Sequence, residues 1–301
     1  MIFEYAVFPG LFNSEDRITA LYGAFGIESG RLISDFPQKQ WAALASKVID
    51  NAASNPDERK RWNAALIALI KRALYRRQGT IWNKDDPTWI RNAIEEHRRR
   101  PFRGILYNEV SAEPEVMRFG IDLAHHPNWS CPNSFHRPRN AEQMIQAVAS
   151  LLDMSTTLVL VDPHFWAADG RWQNVLLRFT KYLSETPIRP HISHIHYITR
   201  TEKNMTDNET ERQFRSFVEP HLPTGISIGF HLVLPAVLHD RFVLTDRGGV
   251  QFGRGLDEGP GDVLITRLGE QAYEKEWDDA SRIRSGTNSA VRHRFQLHRS
   301  P

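Results

Sequence analysis

The sequence predicts an α/β protein in two parts. Residues 1–130 read as a mainly α-helical domain, and residues 131–301 as a sheet flanked by helices. Three observations carry this. Apolar residues recur at 3–4 spacing through residues 1–110, the helical period. Prolines at 114, 127, 132 and 138 then interrupt any long element, and the boundary belongs in this stretch. After residue 140, short apolar runs alternate with amphipathic segments, the pattern of helices laid on a sheet.

Ser14-Glu15-Asp16 caps a short helix running to Phe25. Trp41, Leu44, Ala45 and Val48 make residues 38–52 helical. Pro56 opens a helix over 57–77, with Trp62, Leu66, Leu69, Ala73 and Leu74 as its apolar stripe and Gly79 as its stop. Another helix follows Pro87 and runs to residue 100.

In the second part, a helix over 140–153 leads to the strand Thr157–Val161 and the loop Asp162-Pro163-His164-Phe165. Residues 171–184 and 207–219 read as helices, and His191–Thr199 and Ile226–Val233 as strands. Arg241–Thr245 and Gly249–Gly253 flank a hairpin signal at Asp246–Gly249. A last strand at Val263–Ile265 precedes a helix that begins near Ala272. No repeat of 20–50 residues is present.

Composition narrows the function classes. The chain has 301 residues, 41% apolar and 25% charged, which excludes a disordered tail or a fibre. No run approaches the roughly 18 apolar residues of a membrane span, and the N-terminus lacks a secretory pattern. Cys131 is the single cysteine, so an internal disulfide and a cysteine-based zinc site are both excluded. A reducing cytoplasm is the expected location. Net charge is only +2, but residues 1–110 carry 17 basic and 13 acidic residues, so the excess lies in the first domain.

The chemistry concentrates in Leu238–Asp246 and Gly253–Gly259. On an extended strand His239 and Arg241 share one face, while Phe242 and Leu244 point into a core. An imidazole beside a guanidinium suits a phosphate: arginine grips two oxygens, and histidine attacks phosphorus or shuttles a proton. Asp246 can orient a histidine. A His-x-Arg pair on a strand also fits an ordinary solvated sheet face.

The spacing His239-x-Arg241-x-x-x-x-Asp246, with Gly253 after six intervening residues, resembles the phospholipase D superfamily motif, which has lysine in place of Arg241. The order of elements from about 140 to 285 resembles one module of that superfamily. The resemblance implies a phospholipase D-like sheet flanked by helices and metal-independent, cofactor-free chemistry. It makes His239 the nucleophile that forms a phosphohistidine and Arg241 the phosphate clamp. The family's serine and asparagine after the glycine are replaced by Arg254 and Leu256, and Asp257 or Glu258 substitutes as the polar partner. Two motifs normally meet in one site, and only one is present, so the resemblance implies a homodimer.

Other candidates carry two readings each. Asp162 belongs either to the rim of the same site or to a strand-to-helix turn, and His164 reads better as part of that turn. His194 and His196 share a strand face and can lie near His239 as substrate contacts; with His191 they only superficially suggest a metal cluster, and no metal is expected. Arg254 is a further substrate-binding candidate. Seven cations and no acid occur across residues 59–77, and Arg98-Arg99-Arg100 follow. Arg72, Arg76, Arg77, Arg99 and Arg100 are therefore candidate contacts to a nucleic-acid backbone, DNA before RNA; the alternative is a solvated helix face.

The expected function is a metal-independent phosphodiesterase or nuclease with catalytic residues His239, Arg241, Asp246 and Glu258. By resemblance it would serve a bacterial antiviral defence or DNA-processing system, with other proteins of a defence complex as partners and no membrane. The alternative is a non-catalytic phospholipase D-like binding module in a multi-protein assembly. A phospholipid-cleaving enzyme is a third reading, which only the basic helix supports.

Overall fold

The computed structural model describes residues 1–185, 192–201 and 204–299. The chain is of the α/β class and folds as two compact units, Ile2–Pro132 and Asn133–Pro301, the second of which also includes Met1.

The first unit is built on a sheet that the helical reading did not anticipate. Strands β1 (Phe3–Val7), β2 (Arg31–Ser34), β3 (Leu74–Tyr75), β4 (Gly104–Tyr107) and β5 (Val116–Arg118) are all parallel, in the order β3-β2-β1-β4-β5. Around them lie α1 (Glu15–Ala24), α2 (Trp41–Ala52), α3 (Pro56–Ala73) and α4 (Trp89–Arg99). Alternation along β1 divides the packing. Tyr5 and Val7 join Leu21, Trp41, Ile49, Trp62 and Leu66 of α1–α3 in one core. Ala6 joins Phe36, Trp89 and Ala93 on the α4 side. Both faces of the sheet are thus covered, and strands of two to five residues buried on both faces lose the polar–apolar alternation that marks a strand. Asn55 caps α3 by accepting from Glu58 N at 2.9 Å. The helix ends at Ala73, not residue 77, because Leu74 and Tyr75 are drawn into pairing with Ile33 and Ser34 of β2.

The second unit holds an eight-stranded sheet. Its elements are β6 (Ser134–Pro138), α5 (Ala141–Asp153), β7 (Leu158–Val161), α6 (Gly170–Ser184), β8 (His194–Arg200), α7 (Asp207–Val218), β9 (Ser227–Val233), β10 (Phe242–Thr245), β11 (Gly248–Phe252), β12 (Asp262–Arg267), α8 (Glu270–Ser285) and β13 (Val291–His298). The order is β13-β9-β8-β7-β10-β11-β12-β6. Strands β7, β8 and β9 are mutually parallel, and the remaining pairings are antiparallel. One face of the sheet carries an aromatic stack of Tyr197, Phe230 and Phe295, with Phe165 and Phe214 against it. Ile198 and Leu244 lie opposite Ala280 and Ile283 of α8. Strands β6 and β13, at the two edges, have no counterpart in the sequence reading. The proposed strand start at His191 lies outside the described residues.

Candidate functional site

The junction between β7 and β10 organises the polar residues. Phe242 pairs with Val161 in antiparallel register, so the carboxyl end of β7 and the amino end of β10 lie side by side. Asp162 leaves β7 there, Arg200 ends the neighbouring β8, and Arg241 enters β10. The loop after β11 returns to the same place with Arg254, Gly255 and Asp257. A cleft of about 230 Å³ results, lined by Asp162, Arg241, Arg254, Gly255 and Asp257 together with Arg139, His164 and Trp172.

The two carboxylates are committed to the protein. Asp162 is fully buried; its Oδ1 accepts from His164 N at 2.8 Å and its Oδ2 from Leu256 N at 2.9 Å. Burial pushes its carboxyl pKa up, opposed by those two N–H donors and by the nearby Arg241 guanidinium. Asp257, also buried, pairs with Arg139, and its Oδ2 lies 3.9 Å from Arg171 Nη1. Gly255 makes this return possible: its φ is +134°, and a Cβ there would meet Asp257 Oδ1 at 2.6 Å.

The remaining groups are donors. Arg200 Nη2 donates to His164 Nδ1 at 2.9 Å, so a neutral His164 carries its proton on Nε2. Burial, then Arg200 and Arg241, lower the His164 pKa. Arg241 Nε and Trp172 Nε1 are both buried and without a hydrogen-bond partner among the described residues. Both residues line the cleft.

The residues singled out from sequence separate on this frame. Arg241, Arg254 and Asp162 meet in the cleft. His239 does not join them: β10 begins only at Phe242, so His239 and Arg241 do not share a strand face. His239 is exposed and lines another cleft, of about 290 Å³, with Leu238, Phe242, Lys275 and Asp279. Asp246 lies at the far end of β10, where it accepts from Thr156 N at 2.7 Å and Thr157 N at 3.0 Å, so it orients no histidine. Glu258 accepts from Ala141 N at 3.0 Å and Asn174 Nδ2 at 2.8 Å, tying the first turn of α5 to α6.

His194 and His196 stand on the α8 face of β8, away from Arg241. Their rings pack edge to face at 4.5 Å, and His196 Nδ1 lies 3.2 Å from His231 Nε2. His191 lies outside the described residues. Among those described, no group of three or more histidine, cysteine or acidic residues has metal-holding geometry.

The arginines of the first unit do not form one surface. Arg77 is fully buried, pairing with Glu4 and with Glu96 Oε1 at 2.9 Å, and its guanidinium lies 4.1 Å from the Phe102 ring centre. It cannot meet a phosphate backbone. Arg99 pairs with Glu96 at 2.7 Å, Arg100 is half-buried beside Arg77, and Arg72 lies over the Tyr22 ring. Only Arg76 of the five is exposed.

Sequence reasoning did not single out Arg139 or Arg200, read Trp172 as a core or interface residue, and read His164 as a turn residue. The available signal was the Asp162-Pro163-His164 step after an apolar strand. Nothing in the local pattern marks Arg139, which reaches the cleft from the other end of the unit's chain.

No family model matches the sequence, and no curated protein matches it. Among solved structures, the chain is similar at 8% identity, with a TM-score of 0.26, to one described as "Structure of TrmBL2, an archaeal chromatin protein, shows a novel mode of DNA binding". The alignment covers 54% of this chain and spans 56% of the other's length.

Proposed function

We propose that residues 133–301 form a phospholipase D-like module that binds a phosphodiester in the Asp162–Arg241 cleft, with nucleic acid as the ligand. The observation that carries this is the gathering of Arg139, Arg241 and Arg254 with His164 and Trp172 around one cleft in which Asp162 accepts two backbone N–H groups and Asp257 pairs with Arg139. Its cations outnumber its carboxylates, three arginines to two aspartates. A ligand must bring several acceptor oxygens and negative charge, as a phosphodiester does. Arg241 and Arg254 supply the charge, His164 Nε2–H a neutral donor, and Trp172 an aromatic wall for a sugar or base.

Hydrolysis is a second reading. Its support is His239, exposed and only two residues before Arg241 in the chain. In that reading a histidine nitrogen attacks phosphorus, the leaving alkoxide takes a proton from a second histidine, and water then cleaves the N–P bond. The second histidine would come from the partner in a homodimer.

Fluorescence anisotropy with labelled single- and double-stranded DNA and RNA oligonucleotides tests the first reading. Arg241→Ala is expected to weaken binding and lower the salt slope by about one. His239→Ala is expected to bind as the wild type does. Unchanged binding by Arg241→Ala would overturn the assignment of the cleft. Turnover of an oligonucleotide that vanishes in His239→Ala would establish the second reading.

A further inference from the structure

The first unit has a strand order and a cleft of its own. Its all-parallel order β3-β2-β1-β4-β5 is that of doubly wound sheets, in which ligands bind beyond the carboxyl ends of the strands. The point where the order reverses, between β1 and β4, is filled: Trp41 Nε1 donates to Val7 O at 2.6 Å, and Leu11 and Phe12 are fully buried behind it. The segment after β1, Phe8-Pro9-Gly10-Leu11-Phe12, also lacks a glycine-rich phosphate loop. The position where a dinucleotide's pyrophosphate would lie is therefore closed.

The carboxyl ends of β2 and β3 are open. A cleft of about 730 Å³ lies there, with Asp35 directly after β2 and Arg76 directly after β3. Lys39 and Arg76 line it as exposed cations, and Ala42, Ile70 and Leu74 form an apolar wall. Asp35 is only 7% exposed. Its Oδ2 accepts from Lys39 N at 3.0 Å. A largely buried carboxylate in a cleft wall is placed to accept from a ligand's donor.

We infer that this cleft binds a mononucleotide of the ribo series. An acidic residue at the end of the second strand of a doubly wound sheet is placed to accept from ribose hydroxyls. Asp35 Oδ1 takes that hydroxyl, Arg76 and Lys39 take the phosphate, and the Ile70–Leu74 wall takes the base. The volume falls within the range of small-ligand sites, and the filled β1–β4 crevice limits the ligand to one nucleotide.

Isothermal titration of the full chain with AMP, 2′-deoxy-AMP, adenosine and ribose 5-phosphate tests this. AMP is expected to bind saturably and more tightly than each of the others. Asp35→Asn should weaken AMP about tenfold, the scale of a lost charged hydrogen bond. Arg76→Ala, at an exposed position that leaves the fold intact, should weaken AMP but not adenosine; it carries the test should Asp35→Asn fail to fold. Arg241→Ala should bind AMP normally, which separates this site from the phosphodiester cleft. The proposal is overturned by absence of saturable AMP binding at millimolar ligand, by equal affinity for AMP and ribose 5-phosphate, by Arg76→Ala binding AMP as the wild type does, or by loss of AMP binding in Arg241→Ala.

Discussion

Arg77 Nε donates to Glu96 Oε1 over 2.9 Å, with neither side chain exposed to solvent. The same guanidinium donates to Glu4 Oε2 at 2.6 Å. The bonds join the segment after β3 to α4 and β1, so one cation holds three pieces of the first unit in register. Removing the arginine leaves the largely buried Glu4 without its ion-pair partner and Glu96 with Arg99 alone.

Arg77→Ala is therefore expected to destabilise the protein by about 3–5 kcal/mol, the cost of breaking a buried ion pair from one side. Arg76→Ala, one residue earlier and exposed, should shift stability by less than about 0.5 kcal/mol. Urea unfolding followed by circular dichroism reads both. Equal stability of the two variants would refute the structural role of Arg77.

These adjacent arginines illustrate what the sequence conceals. A run of cations on a helical pattern looks like one surface, because local periodicity reports helix faces and not where a helix stops. Here α3 stops at Ala73, since β2 pairs with Leu74 and Tyr75. The residues beyond it then point by strand rules, one outward and one into the interior. The helices themselves were legible, because each carries an apolar stripe. The five parallel strands of the first unit were not: paired residues lie from 11 (Ile105 and Val116) to 99 (Tyr5 and Gly104) positions apart, and both faces are buried. In the second unit the apolar runs of β7, β8 and β9 and the β10–β11 hairpin were legible. Asp162 and Arg241 could be named from sequence, but not their shared cleft with Arg139 and Trp172, which depends on long-range register.

The histidines on the α8 face predict an acid-sensitive fold. Burial lowers the His196 pKa to about 3 and that of His231 to about 4, and it lowers the His194 pKa as well. The cations facing them are Arg284 of α8 and Arg294 of β13. The unfolded chain takes up these protons near the ordinary value of 6.5, but the folded chain does so only well below it. Unfolding therefore binds protons, and stability rises with pH between about 4 and 6.5. It is present in full above that window and falls as pH drops through it, with a slope of up to about 1.4 kcal/mol per pH unit for each histidine. His231→Phe should flatten the slope of unfolding free energy against pH. A slope unchanged by that substitution would show that other groups cause the acid loss.

The phosphodiester cleft predicts a separation of binding from stability in its two carboxylates. Asp162→Asn keeps an acceptor for one backbone N–H but presents an amide to the other, so Leu256 N or His164 N loses its partner. The expected cost is about 1–3 kcal/mol, with the 253–258 loop displaced and oligonucleotide binding weakened. Glu258→Gln retains an acceptor for Ala141 N and should leave both nearly intact. Comparing oligonucleotide affinity with thermal unfolding across the two variants checks this. Full affinity in a destabilised Asp162→Asn would show that the cleft does not need that loop in place.

Asp246 gives the sharpest contrast between motif and geometry. As a catalytic partner it would matter to turnover and not to folding. Its observed contacts are instead the N–H groups of Thr156 and Thr157 and the Thr156 hydroxyl, at 2.7, 3.0 and 3.1 Å. These bonds fasten the start of β7 to the β10–β11 turn, at the end of β10 opposite Arg241. Asp246→Ala should lower stability by about 1–3 kcal/mol through the orphaned backbone donors, while leaving oligonucleotide affinity at the wild-type value under conditions where the variant is folded. Asp246→Asn, which keeps an acceptor oxygen, should recover part of the stability. The discriminating measurement is affinity at a temperature well below both unfolding midpoints. A loss of affinity or turnover there, in a variant with unchanged stability, would return Asp246 to the site and argue that the β10 strand works as the His-x-Arg-x-x-x-x-Asp spacing suggests.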